Sequence, residues 1–498
     1  MNQLGDLIDY LEENTRSSSN AGLEFIDPRN YRNRLVNEQN HAVFGRRGSG
    51  KTTLMNSFNE ENTDIVKIKV NLEDYKDFSF PNVLIKVLQA FLREIKRDLY
   101  DYAGWNPRKR WEIRKVISEI DRELENLEGQ FMESDEYEEQ IIETSEKTDS
   151  STVGSETSGV KFGLKSSETL EKERKRNIEK SKVVKRKIGS FKDIINSTSD
   201  ILDNSIFLML DDFYFVKRQD QPFVADFFHL LSKDTRLFLK IASIRHRTDL
   251  YTNAKESYYG IELSHDAQKI DLDYTLDRFD DMKDFMKELL RQAFDNTETE
   301  LDINEIITDN GFNQLCLAAG GVPRDFLSIF IDVANGWEGT DGKRISKPDV
   351  TESALRNFSS KKDSFKKDSA DEKEELELYL NYIERKIVEE KRKNMFLVSN
   401  ERIDDYPLID QAIKELMDLR MIHLVDSNTS SAPSDGTMYS AYMVDIGLYP
   451  NSRPRNFDQI DPGVRDEQYR RDNIRAAPKI NLQEMRSHIS EKLEKQRP

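Results

Sequence analysis

The chain has 498 residues, too many for one ordinary hydrophobic core, so two or three domains are expected. Charged residues make up 34% and the formal net charge is −18, which argues against a protein that coats nucleic acid over its whole surface, because phosphate is repelled unless cations cluster. The single cysteine, Cys316, excludes an internal disulfide framework and a multi-cysteine zinc site, and it fits a reducing compartment.

The start, MNQLGDLIDYLEENT, is acidic and amphipathic and lacks the basic and apolar regions of a secretory leader. Apolar runs fall short of a membrane span, so the expected location is cytoplasmic, with no membrane partner. HAVF (41–44) reads as a buried strand, and TTLMNSF (52–58) has helical apolar spacing. Between them, Gly45, Gly50, Lys51 and Thr52 fit G-x-x-x-x-G-K-[ST], the pattern of a phosphate-binding loop. Glycines let the backbone wrap closely around phosphate oxygens and aim its N–H groups inward. Candidate nucleotide contacts are therefore Gly45, Arg47, Gly48, Ser49, Gly50, Lys51, Thr52 and Thr53. Lys51 is expected to reach the β- and γ-phosphates and Thr52 to ligate Mg2+. The tandem Arg46 and Arg47 are alternatively read as serving a subunit contact or a lid instead of phosphate.

DIVKIKVNL (64–72) alternates as a second strand, and PNVLIKVLQAFLREIKRDL (81–99) reads as a helix. SIFLMLDDF (205–213) is a buried parallel strand presenting Asp211 and Asp212 at its carboxyl end, where nucleotide-binding α/β sheets hold their ligand. Asp211 is the candidate for Mg2+ and Asp212 for orienting and deprotonating the attacking water. Paired aspartates also simply stop strands; the glycine loop upstream favours the chemical reading. LFLKIAS (237–243) is a further strand, with Ser243 at its end and Arg245 and Arg247 just past it as γ-phosphate sensors or, equally for the arginines, as partners of carboxylates elsewhere. KIDLD (269–273) is a fifth strand. Gly320 and Gly321 should end a helix and Pro323 start the next, placing Arg324 in a first turn where the dipole disfavours a cation unless a triphosphate lies nearby.

Loop, double-Asp strand, polar strand end and G-x-P-R helix start, in this order, resemble the AAA+ ATPases, most closely the origin-recognition-complex-like branch and the STAND signalling ATPases, of bacterial or archaeal type. FIDPRNY (25–31), shortly before the loop, is similar to the segment that packs on adenine in that family, which implies nucleotide contacts at Pro28 and Arg29. The resemblance covers about residues 22–330. It implies Lys51 and Thr52 as Walker A, Asp211 with Asp212 as Walker B, Ser243 or Arg245 as first sensor and Arg324 as second. Asp212, Lys51 and Arg324 are thereby the candidate catalytic residues, with ATP and Mg2+ as ligands. Where most active members carry Glu, this chain has the shorter Asp212, which implies slow turnover.

About 130 residues separate the second and third strands. Glu119–Glu146 is acidic and helical in spacing, 147–167 is rich in Ser, Thr and Gly, and Leu170–Lys192 is basic. This reads as a self-pairing helical hairpin or as a basic arm for DNA or a partner, carried by Lys172, Arg174, Lys175, Arg176, Lys185, Arg186 and Lys187. After a charged linker (359–375), two helices and a hairpin give the winged-helix order. The second helix has apolar Leu408, Ile409, Ile413, Leu416 and Leu419. It exposes Asp410, Gln411, Lys414, Glu415, Asp418 and Arg420, a nearly neutral face poor for base reading. The tail after Tyr449 reads as extended.

The expected fold is α/β: a P-loop AAA+ parallel-sheet core (1–275, with the hairpin insertion at about 105–200), a helical lid (276–358), the linker, a winged-helix module (376–449) and the tail (450–498). The expected function is a low-turnover ATPase switch whose nucleotide state controls assembly. Its expected partners are further copies meeting near the nucleotide and a separate effector or client. The resemblance implies a prokaryotic defence or genome-maintenance setting. The alternatives are a DNA-loading ATPase using the basic arm, and an ATP-binding scaffold with negligible turnover.

Overall fold

A computed structural model describes residues 3–15, 25–57, 65–105, 107–149, 182, 184–254, 257–298, 302–337, 343–368, 373–449, 456–464 and 471–495. The chain divides into two compact units, one of 31–44 and 58–271, the other of 1–30, 45–57 and 272–498.

The first unit is built on a five-stranded parallel sheet. With elements numbered along the chain, its strands are β1 (His41–Phe44), β2 (Ile65–Asn71), β3 (Ser205–Asp211), β4 (Leu237–Ser243) and β7 (Gln268–Asp271), in the order β2-β3-β4-β1-β7. Every residue of β1 and β3 is buried, as expected for parallel strands covered on both faces. The register places Asn71 beside Asp211 and Phe44 beside Ser243, so the carboxyl ends of these four strands share one edge. Beyond β4 a two-stranded hairpin, β5 (Tyr251–Ala254) with β6 (Ser257–Gly260), was absent from the sequence reading.

Helices α2 (Tyr31–Val36), α4 (Asn82–Trp105), α5 (Arg110–Asp149), α6 (Ile188–Leu202) and α7 (Gln221–Ser232) belong to this unit. The insertion begins as expected: α5 packs on α4 and α6 with Ile113, Val116, Ile117 and Ile120 buried. Its basic and acidic arms pair where both are described, since Lys187 Nζ lies 3.4 Å from Glu123, which also accepts from Ser190 at 2.8 Å.

The second unit contains α1 (Gln3–Asn14), α3 (Lys51–Asn56), α8 (Phe279–Asn296), α9 (Ile303–Ile306), α10 (Asp309–Ala319), α11 (Pro323–Asn335) and α12 (Lys347–Asp368). The C-terminal part adds α13 (Lys373–Ile383), β8 (Met395–Ser399), α14 (Pro407–Asp418), β9 (Ile422–Ser430), β10 (Met438–Val444), α15 (Asp472–Arg475) and α16 (Leu482–Lys495). Its sheet is antiparallel in the order β8-β10-β9, so the expected β9–β10 hairpin carries a third strand that the sequence reading omitted. One continuous core joins Leu7 and Leu11 of α1, Leu290, Leu315 and Phe330 of the helical part, and Leu397, Val425 and Ala441 of this sheet.

Three expectations are corrected here. The stretch 359–375 is no simple linker, because α12 runs through it to Asp368 and buries Lys361 and Phe365. The tail is not extended over 482–495: there α16 packs on α13 with Leu482, Met485 and Ile489 buried, since these recur at helical spacing. In α14, Leu408 is 60% exposed whereas Glu415 and Asp418 are buried, as is Arg420 just beyond it, so the face supposed to be solvated is partly a packing face.

Candidate functional site: the glycine loop and its buried charges

Gly45 follows β1 directly, and the loop ends where Gly50, at φ 94°, caps α3 in a left-handed conformation open to glycine. Gly48, at φ 87°, is equally committed, because an added Cβ would lie 2.7 Å from Arg324 Cβ. The loop is thus packed against the first turn of α11, and the Arg324 amide, one of that helix's otherwise unsatisfied donors, reaches Gly48 O at 3.3 Å. Gly320 and Gly321 end α10 and Pro323 opens α11, as the sequence indicated.

Lys51 is buried, and its Nζ donates to Gly45 O at 2.9 Å and Arg46 O at 3.3 Å, so the ammonium is folded into the loop. Ser49 Oγ is buried without a hydrogen-bond partner among the described residues. A Cβ on Gly45 would meet that oxygen at 2.2 Å. A tight glycine turn, a buried ammonium and an unsatisfied hydroxyl fit the phosphates of a nucleotide. Among the described residues no group of three or more His, Cys, Asp or Glu could hold a metal. A Mg2+ here fits the usual pattern of one or two protein ligands plus substrate phosphates.

Arg46, whose role the sequence left open, turns away from the loop. Its Nη2 donates to Tyr274 O and Gly320 O, both at 2.9 Å, its Nε lies 3.3 Å from Asp273, and its Nη1 lies 3.4 Å from His423 Nδ1. The ring also packs on Gly320, since a Cβ there would overlap His423. His423 Nε2 lies 3.1 Å from Asp445, which lies 2.7 Å from Lys361. Lys361 in turn lies 3.2 Å from Asp325, which accepts from Arg420 at 2.5 Å. Arg46, Lys361 and Arg420 are balanced by Asp273, Asp445 and Asp325, so the buried charges cancel, which is the condition for tolerating them.

Burial holds His423 below its ordinary value despite the bond to Asp445. The geometry agrees: a neutral ring with Nε2–H donates to Asp445 while Nδ1 accepts from Arg46. Burial would raise Asp445, but Lys361 and His423 outweigh it and hold the carboxyl at about 2. Asp325 is likewise held below its ordinary value, its burial outweighed by Arg420 and Lys361.

The sheet unit presents Asp211, Asp212, Ser243 and Arg245, while Pro28 and Arg29 belong to the other unit. Asp211 closes β3, buried, with its Oδ2 3.2 Å from Lys69 and its Oδ1 accepting from the Asp212 amide at 3.0 Å. Asp212 has φ 51° and ψ 45°, a left-handed backbone that costs on the order of 1 kcal/mol and turns the chain out of the strand at once. Ser243 Oγ lies 2.5 Å from Thr248 Oγ1, and Arg245 lies 3.4 Å from Asp271, so both sensor candidates have partners within their own unit. Arg29 lies over the Tyr274 ring at 4.0 Å, and Pro28 is exposed. Of the basic-arm candidates, Lys172, Arg174, Lys175 and Arg176 lie outside the described residues. Lys185 and Lys187 are engaged by Asp226 and Glu123, which removes them from a free basic face; Arg186 is exposed.

Sequence reasoning missed His423, Asp445, Lys361, Asp325 and Asp273. A histidine inside MIHLV and an aspartate inside PRDFLSIF were the available signals, polar residues in apolar runs; Lys361 sat unmarked in a charged stretch.

The class these features define is a parallel α/β protein with a phosphate-binding type of loop after its first strand. No family model and no curated protein matches the chain. It is similar to a solved structure of a Walker-type ATPase of Pyrococcus abyssi, at 10% identity and a TM-score of 0.38, covering 85% of this chain and 94% of the other. It is also similar to the structure of Drosophila ORC bound to DNA, at 9% identity and a TM-score of 0.34, covering 89% and 90%. At these scores the fold assignment rests on the sheet and the loop themselves. No helix among the described residues is long and apolar enough to cross a membrane.

Proposed function

We propose that the chain is an ATP-binding, slowly hydrolysing switch of the AAA+/STAND kind, whose nucleotide state is relayed to its C-terminal module and governs assembly. The observation that carries this reading is the buried charge network. The phosphate loop reaches His423 through Arg46, and Asp325, next to Arg324, is held by Arg420 and Lys361. A ligand that moves the loop or Arg324 therefore acts on ions whose separation costs about 3–5 kcal/mol per broken pair, and such an arrangement favours two discrete states over gradual drift. A nucleotide shifts that balance only by binding one state better than the other.

ATP and Mg2+ are the proposed ligands, with Lys51 on the β- and γ-phosphates, Thr52 and Asp211 as the metal ligands the motif supplies, and Asp212 as the base. The C-terminal helix, strand, helix and hairpin are read as a structural or regulatory winged helix. The proposed partners are further copies of the chain and a client. Light-scattering mass and phosphate release, each with and without Mg-ATP, test this. ATP is expected to raise the mass, the larger species to persist in Asp212→Asn, and both effects to vanish in Lys51→Ala. An unchanged mass would sink the switch, and a mass change with no phosphate release above Asp211→Ala would leave only a scaffold.

A further inference from the structure

The turn between α4 and α5 carries a feature that the nucleotide reading does not use. Residues 108–115, RKRWEIRK, hold five cations against one carboxylate in a chain of net charge −18. Two of the cations build the turn. Lys109 Nζ donates to Ile201 O at 2.6 Å, capping the C-terminal end of α6, and Arg110 Nε donates to Ala103 O at 3.3 Å. Arg108, Arg114 and Lys115 are exposed and form no ion pair among the described residues.

Burial of Ile113, Val116, Ile117 and Ile120 fixes which side of α5 faces inward. Trp111, Arg114 and Lys115 recur at helical spacing on the other side, with Arg108 one turn before them. Trp111 is 76% exposed, the most exposed large apolar side chain among the described residues, and Tyr100, near the C-terminal end of α4, is 55% exposed. An indole left in water between three unpaired cations is unfavourable for folding alone. It matches a partner that offers both flat π-faces and repeated negative charge.

We infer that this turn binds single-stranded nucleic acid, a base stacking on Trp111 while Arg108, Arg114 and Lys115 meet the backbone phosphates. The cations span about 10 Å of helix, the length of a few phosphates. An anionic bilayer fits less well, because Ile113, Val116 and Ile117 beside Trp111 are buried and, among the described residues of this turn, only Trp111 and Tyr100 are left as exposed large apolar side chains. The site uses none of the residues proposed for the basic arm and is independent of the ATP reading.

Fluorescence anisotropy with a labelled single-stranded oligonucleotide of mixed sequence, across a salt series, tests it. Binding is expected to weaken with log salt at a slope of about −2, as for three phosphates on a single strand. Trp111→Ala should weaken it about tenfold and Trp111→Phe far less. The triple variant Arg108→Gln, Arg114→Gln, Lys115→Gln should flatten the salt slope. All these positions are exposed, so each variant should keep the wild-type melting temperature. The inference is overturned if the wild type does not bind, if the variants bind as it does, or if phosphatidylserine vesicles or poly-glutamate bind equally well and lose binding in the same variants.

Discussion

His423 sits at the crossing of the loop and the C-terminal module, and its chemistry is decided by its two neighbours. With a guanidinium at Nδ1 and a carboxylate at Nε2, the neutral Nε2–H tautomer satisfies both, whereas a second proton would face Arg46. Its folded pKa lies below the ordinary 6.5, so in acid the unfolded chain takes up a proton that the folded chain refuses. Stability due to this group is therefore full above pH 6.5 and falls on acidification, by at most about 1.4 kcal/mol per pH unit. His423→Gln keeps one acceptor and one donor but cannot titrate. Denaturant unfolding between pH 8 and pH 5 should show the wild type losing more stability than this variant. Parallel curves would mean that His423 titrates in the fold as it does in the open chain.

Among the elements, α16 shows how far a tail can be structural. Leu482, Met485 and Ile489 are each at most 5% exposed and join the core formed by α13, α14 and β8. Backbone bonds prepare this docking: Leu397 donates to Pro478 O at 2.8 Å and accepts from Ile480 at 2.9 Å, edging β8 before the helix begins. Met485→Ala should cost about 2–5 kcal/mol, read from denaturant midpoints. A cost below about 0.5 kcal/mol, the level of an ordinary surface change, would show that the helix detaches in solution. The five strands of the parallel sheet were legible in sequence because apolar runs and period-2 alternation are local, whereas β5, β6 and β8 were not read. This tail was not, because its apolar residues are sparse and only a partner surface makes them a face.

For the whole molecule, the loop belongs to the compact unit of the helical and C-terminal parts, and not to the sheet unit that supplies the strand before it. The sequence reading had put loop and sheet in one domain. The physical ground is the set of bonds from Arg46 and the close packing of Gly48 on Arg324. Hydrogen exchange in residues 395–444 should therefore respond to Mg-ATP bound about 50 residues from the N-terminus, with slower exchange expected in the wild type and no change in Lys51→Ala. A response confined to the loop and α3 would break the proposed relay.

Sequence alone determined the strand-loop-helix of 41–56, the five parallel strands, the aspartates at the end of β3 and the break at Gly320 and Gly321. Each is written in residues a few positions apart: an apolar run, a glycine where φ must be positive, a proline at a helix start. Tertiary structure decided which charges meet. Arg46 and His423 are 377 residues apart and Asp325 and Arg420 are 95 apart, and nothing local marks such pairs. A buried ion must find an opposite charge wherever the fold brings one, so its partner is a property of packing and not of spacing.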